Sequence, residues 1–523
     1  MSIFFGKYFR LTLIFILFLE ILSFCGYLYS EINTLVFFVI SFFAFVLSLK
    51  KLEYGLYILL AELFIGSKGY LFSSEINGVN LSIRIALFLI IISVWFSNLL
   101  RDRFILKKKL INFSNQEKST YIPYLVLFLF IVWGLIWGLI RDNTFENIFF
   151  DFNAWLYFLL IFPFLSVFKS RRQIENIFQI FTASLIAQSL KTLFVFYAFS
   201  HHWIVGLGEL YSWIRSTGIG EITQLKEGFY RIFFQSHLYL LIGFFVFLII
   251  FLNKKSIIEE SKQQLKIKNL HFLLVLFFSL PVLISFSRSF WVGVLTGLLF
   301  LFFWVGFGHY KKRRLLFRSH KIFWFETFKL GSLLILLFVL QIIFIWALIN
   351  FPKPKRPIVD FSVMAQERIT TSPGEAAGMS RVNLLRPLFR EIFRHPIVGS
   401  GFGTTVTYQS SDPRILASAS KGWYTTYAFE WGYLDIWLKI GLIGLLVYLW
   451  LIWMIWQKGW QIIKEEKSSF VSSISLGMLL GLLAVFVTNI FSPYLNHPLG
   501  IGYLMLCSSV FQVFEKEQIG YPE

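Results

Sequence analysis

Leu330-Gly331-Ser332-Leu333-Leu334-Ile335-Leu336-Leu337-Phe338-Val339-Leu340-Gln341-Ile342-Ile343-Phe344-Ile345-Trp346-Ala347-Leu348-Ile349 carries no charge from end to end. As a helix this run rises ~30 Å, the thickness of a bilayer's hydrocarbon core. Lipid offers no partner to an open backbone group, so a run of this kind predicts a transmembrane helix. Similar runs occur at Leu11–Tyr29, Ile32–Leu49, Tyr54–Ile65, Leu81–Leu100, Tyr121–Ile140, Ala154–Phe168 and Ile177–Phe199. The rest of the chain adds Ile232–Leu252, Leu270–Ile284, Phe290–Gly306, Ile436–Trp456, Val471–Ile490 and Leu499–Val513, which makes fourteen. Three are short (Tyr54–Ile65, Leu270–Ile284 and Leu499–Val513), so about 12–14 spans are expected in an all-α polytopic integral membrane protein.

The composition agrees. Of 523 residues, 57% are hydrophobic and only 15% charged, against ~45–50% and ~25% in soluble domains. A cytosolic enzyme with an ordinary core is excluded. The formal charge of +19 would suggest nucleic acid in a soluble chain, but in a membrane chain basic residues accumulate in cytoplasmic loops. With fourteen spans and a cytoplasmic N-terminus, the inside segments hold 29 Lys+Arg, among them Lys107-Lys108-Lys109, Arg171-Arg172 and Lys311-Lys312-Arg313-Arg314. The short outside loops hold Lys68, Arg141, Arg215, Lys226, Arg231 and Arg288. Both termini are therefore expected in the cytoplasm, with no nucleic-acid partner. Lys7 and Arg10 before Leu11 resemble a signal peptide, but no small-residue cleavage site follows, so the first helix is expected to be retained. Cys25 and Cys507 each lie in an apolar run and can build neither a disulfide framework nor a Cys-rich metal site.

Three segments are expected: an N-terminal transmembrane bundle (1–269), a core (270–456) with an external loop at 351–432, and a C-terminal helix pair (457–523). The loop holds ten Lys+Arg, three prolines near its start and Gly399-Ser400-Gly401-Phe402-Gly403, which reads as a tight turn. Long structured loops are where function concentrates. Within it, Ser380 is expected to cap a helix Arg381–Arg394 that His395-Pro396 ends. Leu384, Leu385, Leu388, Phe389, Ile392 and Phe393 make its apolar face, and Arg386, Arg390 and Arg394 a neighbouring basic stripe. The simplest reading is a helix lying on the membrane with its arginines at lipid headgroups.

Ionisable groups near spans are costly and usually face a cavity or a partner. In Ser285-Phe286-Ser287-Arg288-Ser289-Phe290-Trp291-Val292-Gly293, Pro281 weakens the preceding helix and Ser287 can cap a new one. Its N-terminus has free N–H groups and Arg288 adds a bidentate donor, which together suit a phosphate. Arg231, at the outer end of its predicted span with Gln235 and His237 following, is a further candidate. Glu20, Glu62, Arg84 and Lys191 fall within spans and can pair with one another, while His201, His202 and His497 lack ligand spacing.

The Ser287-Arg288-Ser289-Phe290-Trp291-Val292-Gly293 stretch resembles the Ser-Arg-x-x-Trp-hydrophobic-Gly signature of the O-antigen ligase and O-antigen polymerase membrane proteins. Ser380-Arg381, His395-Pro396-Ile397-Val398-Gly399-Ser400-Gly401-Phe402-Gly403 and Lys439-Ile440-Gly441-Leu442-Ile443-Gly444 are similar to that family's later motifs, in order around one long external loop. The resemblance covers roughly Leu270 to Trp456 and implies a GT-C-like fold in a bacterial cytoplasmic membrane. It implies transfer of a glycan from an undecaprenyl-diphosphate carrier to a hydroxyl on a glycan or lipid acceptor, inverting and without a metal or other cofactor. Arg288 and Arg381 then neutralise the departing diphosphate, with Arg231 beside them. The family's base is a His about nine residues before the Glu of its last motif, and here that count lands on Glu430. A partly desolvated carboxylate can do the same work; alternatively Glu430 and Asp435 mark a polar entrance or pair with a basic residue such as Lys439. Two other classes fit the embedded charges: a flippase for the same lipid-linked oligosaccharide, and a noncatalytic scaffold in envelope polysaccharide assembly.

Overall fold

The computed structural model describes residues 3–76, 78–105, 115–203, 206–226, 229–253, 262–312, 319–352, 376–417, 421–465 and 468–518. The N-terminal helices are α1 (Lys7–Leu28), α2 (Ser30–Lys50), α3 (Leu52–Ile65), α4 (Ile83–Leu100) and α5 (Asn115–Ile140). Next come α6 (Phe145–Phe152), α7 (Ile161–Val167), α8 (Arg171–Ser200), α9 (Leu207–Ser216) and α10 (His237–Leu252). They are followed by α11 (Lys262–Ile284), α12 (Arg288–Lys312), α13 (Ser319–Asn350) and α14 (Ala376–Arg394). The last three are α15 (Gly432–Glu465), α16 (Ser469–Thr488) and α17 (Pro498–Gln518).

Among the described residues, eleven helical stretches are long and apolar enough to cross a membrane, and His237–Leu252 and Asn269–Ile284 are shorter apolar helices. The run at Tyr54–Ile65 is likewise a short helix, α3, of 14 residues. Large apolar side chains face outward along the long helices, for example Phe15 and Phe18 on α1, Phe42 and Phe43 on α2, Leu129 on α5 and Ile335 and Trp346 on α13. Water would penalise such a belt and hydrocarbon does not. The chain is a polytopic, mostly helical membrane protein.

Two predicted spans differ from the observed ones. The stretch predicted at Ala154–Phe168 begins at Phe145, because α6, a tight helical turn and α7 run on continuously. The stretch predicted at Ile232–Leu252 begins at His237. Its first residues instead belong to a hairpin of β3 (Gly220–Lys226) and β4 (Phe229–Phe234), with Thr223 opposite Arg231. The pairing satisfies their backbone groups, and α10 behind them is buried along almost its whole length, so a short helix is tolerated there.

The helix ends sort into two sets. Phe4 packs on Phe470 at 6.0 Å, the Arg171 guanidinium lies 5.8 Å from the centre of that Phe470 ring and comes within 4.0 Å of Glu517, so the start of α1 and the end of α17 share one end of the bundle. The opposite end gathers β3 and β4, a hairpin of β1 (Ser73–Ile76) and β2 (Val79–Ser82), and one of β5 (Val406–Gln409) and β6 (Trp423–Thr426).

At that second end the glycine-rich segment enters the bundle. Gly441 interrupts α15 with φ 75°, which frees carbonyls that the helix would otherwise use. Ser400 and Gly401 N–H groups donate to Leu438 and Lys439 carbonyls at 2.6 and 3.2 Å, and Leu442 N–H donates to the Pro396 carbonyl at 2.9 Å. Phe402 N–H donates to the Gly134 carbonyl of α5 at 3.0 Å, and its ring is fully buried against Trp155 and Phe152. The tight turn read from the sequence is thus a plug that mends a broken helix. Gly401 has φ 84°, and a Cβ there would stand 2.3 Å from the backbone N of Gly138. Gly401→Ala is therefore expected to lower stability by about 2–3 kcal/mol, read as a lower midpoint of thermal unfolding in detergent. Gly208→Ala, where a Cβ meets open space, serves as the unaffected control.

Candidate active site

The turn before α12 is built as follows. Pro281 sits in the last turn of α11, its carbonyl accepts from Ser285 N–H at 2.8 Å, and the helix stops at Ile284. Phe286 then takes a left-handed conformation, φ 46°, uncommon for a bulky residue. Its buried ring packs on Phe229 at 5.1 Å and Trp291 at 5.4 Å. Ser287 stands at the predicted N-cap position, its carbonyl accepting from Trp291 N–H at 3.0 Å. Its hydroxyl pairs with the Ser289 hydroxyl at 3.0 Å. Arg288, half-buried, is the first residue of α12.

Arg231 belongs to this turn. It lies in β4 rather than in a span, and its Nε donates to the Ser285 carbonyl at 2.8 Å. Its Nη1 is 3.8 Å from Glu221 Oε2, and the guanidinium lies 5.0 Å from the centre of the Phe233 ring. The structure thus ties Arg231 to the turn that precedes Arg288.

Arg381 and Glu430 also meet: Arg381 Nε donates to Glu430 Oε2, and Trp431 Nε1 donates to the Arg381 carbonyl at 3.0 Å. The helix that carries Arg381 differs from expectation in two ways. It starts at Ala376, so Ser380 is internal and caps nothing; its hydroxyl instead accepts from Ser411 N–H at 2.8 Å and lies 3.2 Å from Ser410 Oγ. Half of its apolar face turns inward, Leu384, Leu388 and Ile392 being buried against Val406, Phe429 and Leu438, while Phe393 is exposed. Arg386, Arg390 and Arg394 remain exposed. Beside Glu430, burial and then the Glu430 charge push the Tyr408 phenol up from its ordinary value, so it stays a neutral hydroxyl at pH 7.

One short segment, Asn489–His497, contacts a sequence neighbour of each group. Ser492 Oγ donates to Ser289 Oγ at 3.1 Å, next to Arg288, and the Phe491 ring packs on Trp431 at 5.7 Å, next to Glu430.

Beneath it lies a charge cluster of which the sequence showed one half. Lys439 pairs with Asp435, one turn before it on α15, at 2.6 Å, the alternative partner that the spacing allowed. It also donates to Asp151, which no motif singled out. Asp151 accepts from Gly403 N–H at 3.0 Å, and Asp435 accepts from Asn496 Nδ2. All three charged side chains are almost completely buried. The available signal for Asp151 was a single acid within Phe149-Phe150-Asp151-Phe152; it was missed because the span was expected to begin after it.

The charged candidates within spans are paired with one another. Arg84 grips Glu62 through Nε at 3.0 Å and Nη2 at 2.9 Å, and Lys191 pairs with Glu20 at 2.5 Å. His237 is a satisfied core histidine, bonded to Thr192 Oγ1 at 2.9 Å. His201 bonds the Leu348 carbonyl at 2.8 Å. His497 is held well below the usual imidazole range, at about 3, by burial and then by Arg84 and Lys68, so it is neutral at pH 7 and is no proton carrier there.

No known protein family and no curated protein matches this chain. The site therefore rests on its own geometry.

Proposed function

We propose that this chain is a membrane glycosyltransferase of the O-antigen ligase or polymerase type, moving a glycan from an undecaprenyl-diphosphate carrier to a hydroxyl acceptor at the external face of a bacterial cytoplasmic membrane. The observation that carries the reading is the Arg381–Glu430 ion pair, reached through one short segment from the turn that holds Arg231 and Arg288. The basic end of the bundle is then cytoplasmic, and the end with the hairpins and the plug is external.

A departing diphosphate needs its developing charge stabilised by fixed donors, and guanidinium groups bind phosphate oxygens bidentately. In the resting protein Glu430 occupies the Arg381 guanidinium. An arriving diphosphate competes for that guanidinium and releases the carboxylate when the donor is in place. Glu430 then takes the proton of the acceptor hydroxyl, the oxygen attacks the anomeric carbon, and the bond from that carbon to the diphosphate oxygen breaks with inversion. The electron pair leaves on the diphosphate, held by Arg381, Arg288 and Arg231. Charge stabilisation comes from these side chains, so the reaction proceeds without a metal.

Arg288→Gln is the direct test of the far half of the site. Transfer should fall by about 10²–10³-fold, the usual cost of removing one charge-stabilising donor, in a variant that purifies as the wild type does. Undiminished transfer removes Arg288 from the mechanism.

A further inference from the structure

The two arginine groups sit on separate elements. Arg381 and Glu430 flank β5 and β6 at the start of α15; Arg231 and Arg288 sit where β4, α11 and α12 meet. Reactive groups must be held within fractions of an ångström to work together, so something must fix their spacing.

The buried charges lie where the connecting segments converge. Asp435 and Lys439 are on the first two turns of α15, directly after Glu430. Asp151 on α6 accepts from Gly403 N–H, and so holds the plug that follows the helix of Arg381. Asn496 donates to Asp435 and lies in the segment whose Ser492 bonds Ser289, the neighbour of Arg288. Phe429, the residue before Glu430, lies with its ring centre 5.7 Å from Lys439 Nζ. Buried charges are costly alone, and removing one partner leaves the others uncompensated. The arrangement is therefore stiff: moving any one segment breaks a hydrogen-bonded ion pair inside the bundle.

We propose that Asp151, Lys439, Asp435 and Asn496 form the positioning element of the site, setting the separation between the Arg381–Glu430 pair and the Arg231–Arg288 turn. They are positioning residues, since none need touch the substrate. The functional half of the inference rests on the glycosyltransferase reading; the geometric half does not. Asn496 ties the start of α15 to the segment that bonds the Ser289 turn, alongside the Trp431–Phe491 contact and the hydrogen bonds of Tyr433 to the Phe486 carbonyl and of Thr488 to the Ser289 carbonyl.

The test uses the full chain in nanodiscs with Cys25 and Cys507 replaced by Ala. Spin labels are placed at Arg390→Cys on α14 and Glu209→Cys on α9, both exposed, one on each side of the site. In the parent a single narrow distance distribution is expected. Asn496→Ala, which leaves the Lys439 ion pairs intact, should widen it about twofold or more. Lys439→Arg, which keeps the charge, should leave it close to the parent. With a lipid-linked donor, Asn496→Ala should lower kcat by about 100-fold and change KM less than twofold.

A folded Asn496→Ala protein with the parent distribution overturns the proposal. If that variant does not accumulate, Asp435→Leu, which is similar in shape, removes the acceptor of Asn496 Nδ2 and keeps the Lys439–Asp151 pair, takes its place with the same criterion. Widened distances without any transfer by the parent sink the glycosyltransferase reading and leave the positioning element standing. Parent-like distances with active parent protein do the reverse.

Discussion

The charge-reversed double variant Arg381→Glu/Glu430→Arg is expected to purify and unfold like the wild type and to lose glycan transfer by about 10²–10³-fold. The ion pair it reverses is half-exposed, with 33% and 52% of the two side chains accessible. Exposed pairs contribute little to stability, ~0–1 kcal/mol, so exchanging the two ends leaves the fold unchanged. Function distinguishes the ends. In the proposed mechanism a guanidinium is required where the diphosphate departs and a carboxylate where the acceptor hydroxyl gives up its proton, and the swap misplaces both. Each single variant, Arg381→Gln or Glu430→Gln, should lose transfer as well. A double variant that recovers wild-type transfer would reduce the pair to a structural tie between α14 and α15, and would remove Glu430 as the base.

Lys439→Met should have the largest effect on stability, about 3–5 kcal/mol, the cost of removing one partner from a buried pair. Lys439 has 3% of its side chain accessible, and its ammonium lies between Asp151 and Asp435. Taking it away leaves two carboxylates facing each other without a counter-charge. Asp435→Asn should cost far less, because the remaining Lys439 and Asp151 still balance. The triple variant Asp151→Asn/Asp435→Asn/Lys439→Met, with no charge left to compensate, should recover most of what Lys439→Met loses. Denaturation midpoints in one detergent measure all three. A Lys439→Met midpoint equal to that of the wild type would contradict the account of the cluster.

Much of this was legible in the sequence because lipid imposes simple rules. A run such as Leu330–Ile349 has one stable conformation in hydrocarbon, and the helix Ser319–Asn350 contains it whole. Helix stops are equally local: Pro281 marks the end at Ile284, and Ser287 the start at Arg288. What failed depended on partners distant in sequence. Ile232–Phe234 is as apolar as a span, but its pairing with Gly220–Ile222 makes it a strand. Ser380 has the chemistry of a cap, but the Ser411 N–H claims its hydroxyl. The apolar face of α14 has the pattern of a membrane-surface helix, and that pattern does not say whether lipid or the strand at Val406 covers it. Gly399–Gly403 reads as a turn, and only the break at Gly441 on another element makes it a plug. Arg288 and Arg381 stand in local motifs and Glu430 at a fixed count from another, whereas Asp151 stands in none, since its partner Lys439 lies 288 residues away.

Covalent transfer is measured with purified protein in proteoliposomes that carry an undecaprenyl-diphosphate-linked oligosaccharide and a glycan acceptor, with chelator present throughout. The oligosaccharide is expected to become covalently joined to the acceptor with inverted anomeric configuration, releasing undecaprenyl diphosphate, and Glu430→Gln to abolish the product. Movement of the intact carrier across the bilayer with no joined product, or no change in the carrier at all, would contradict it.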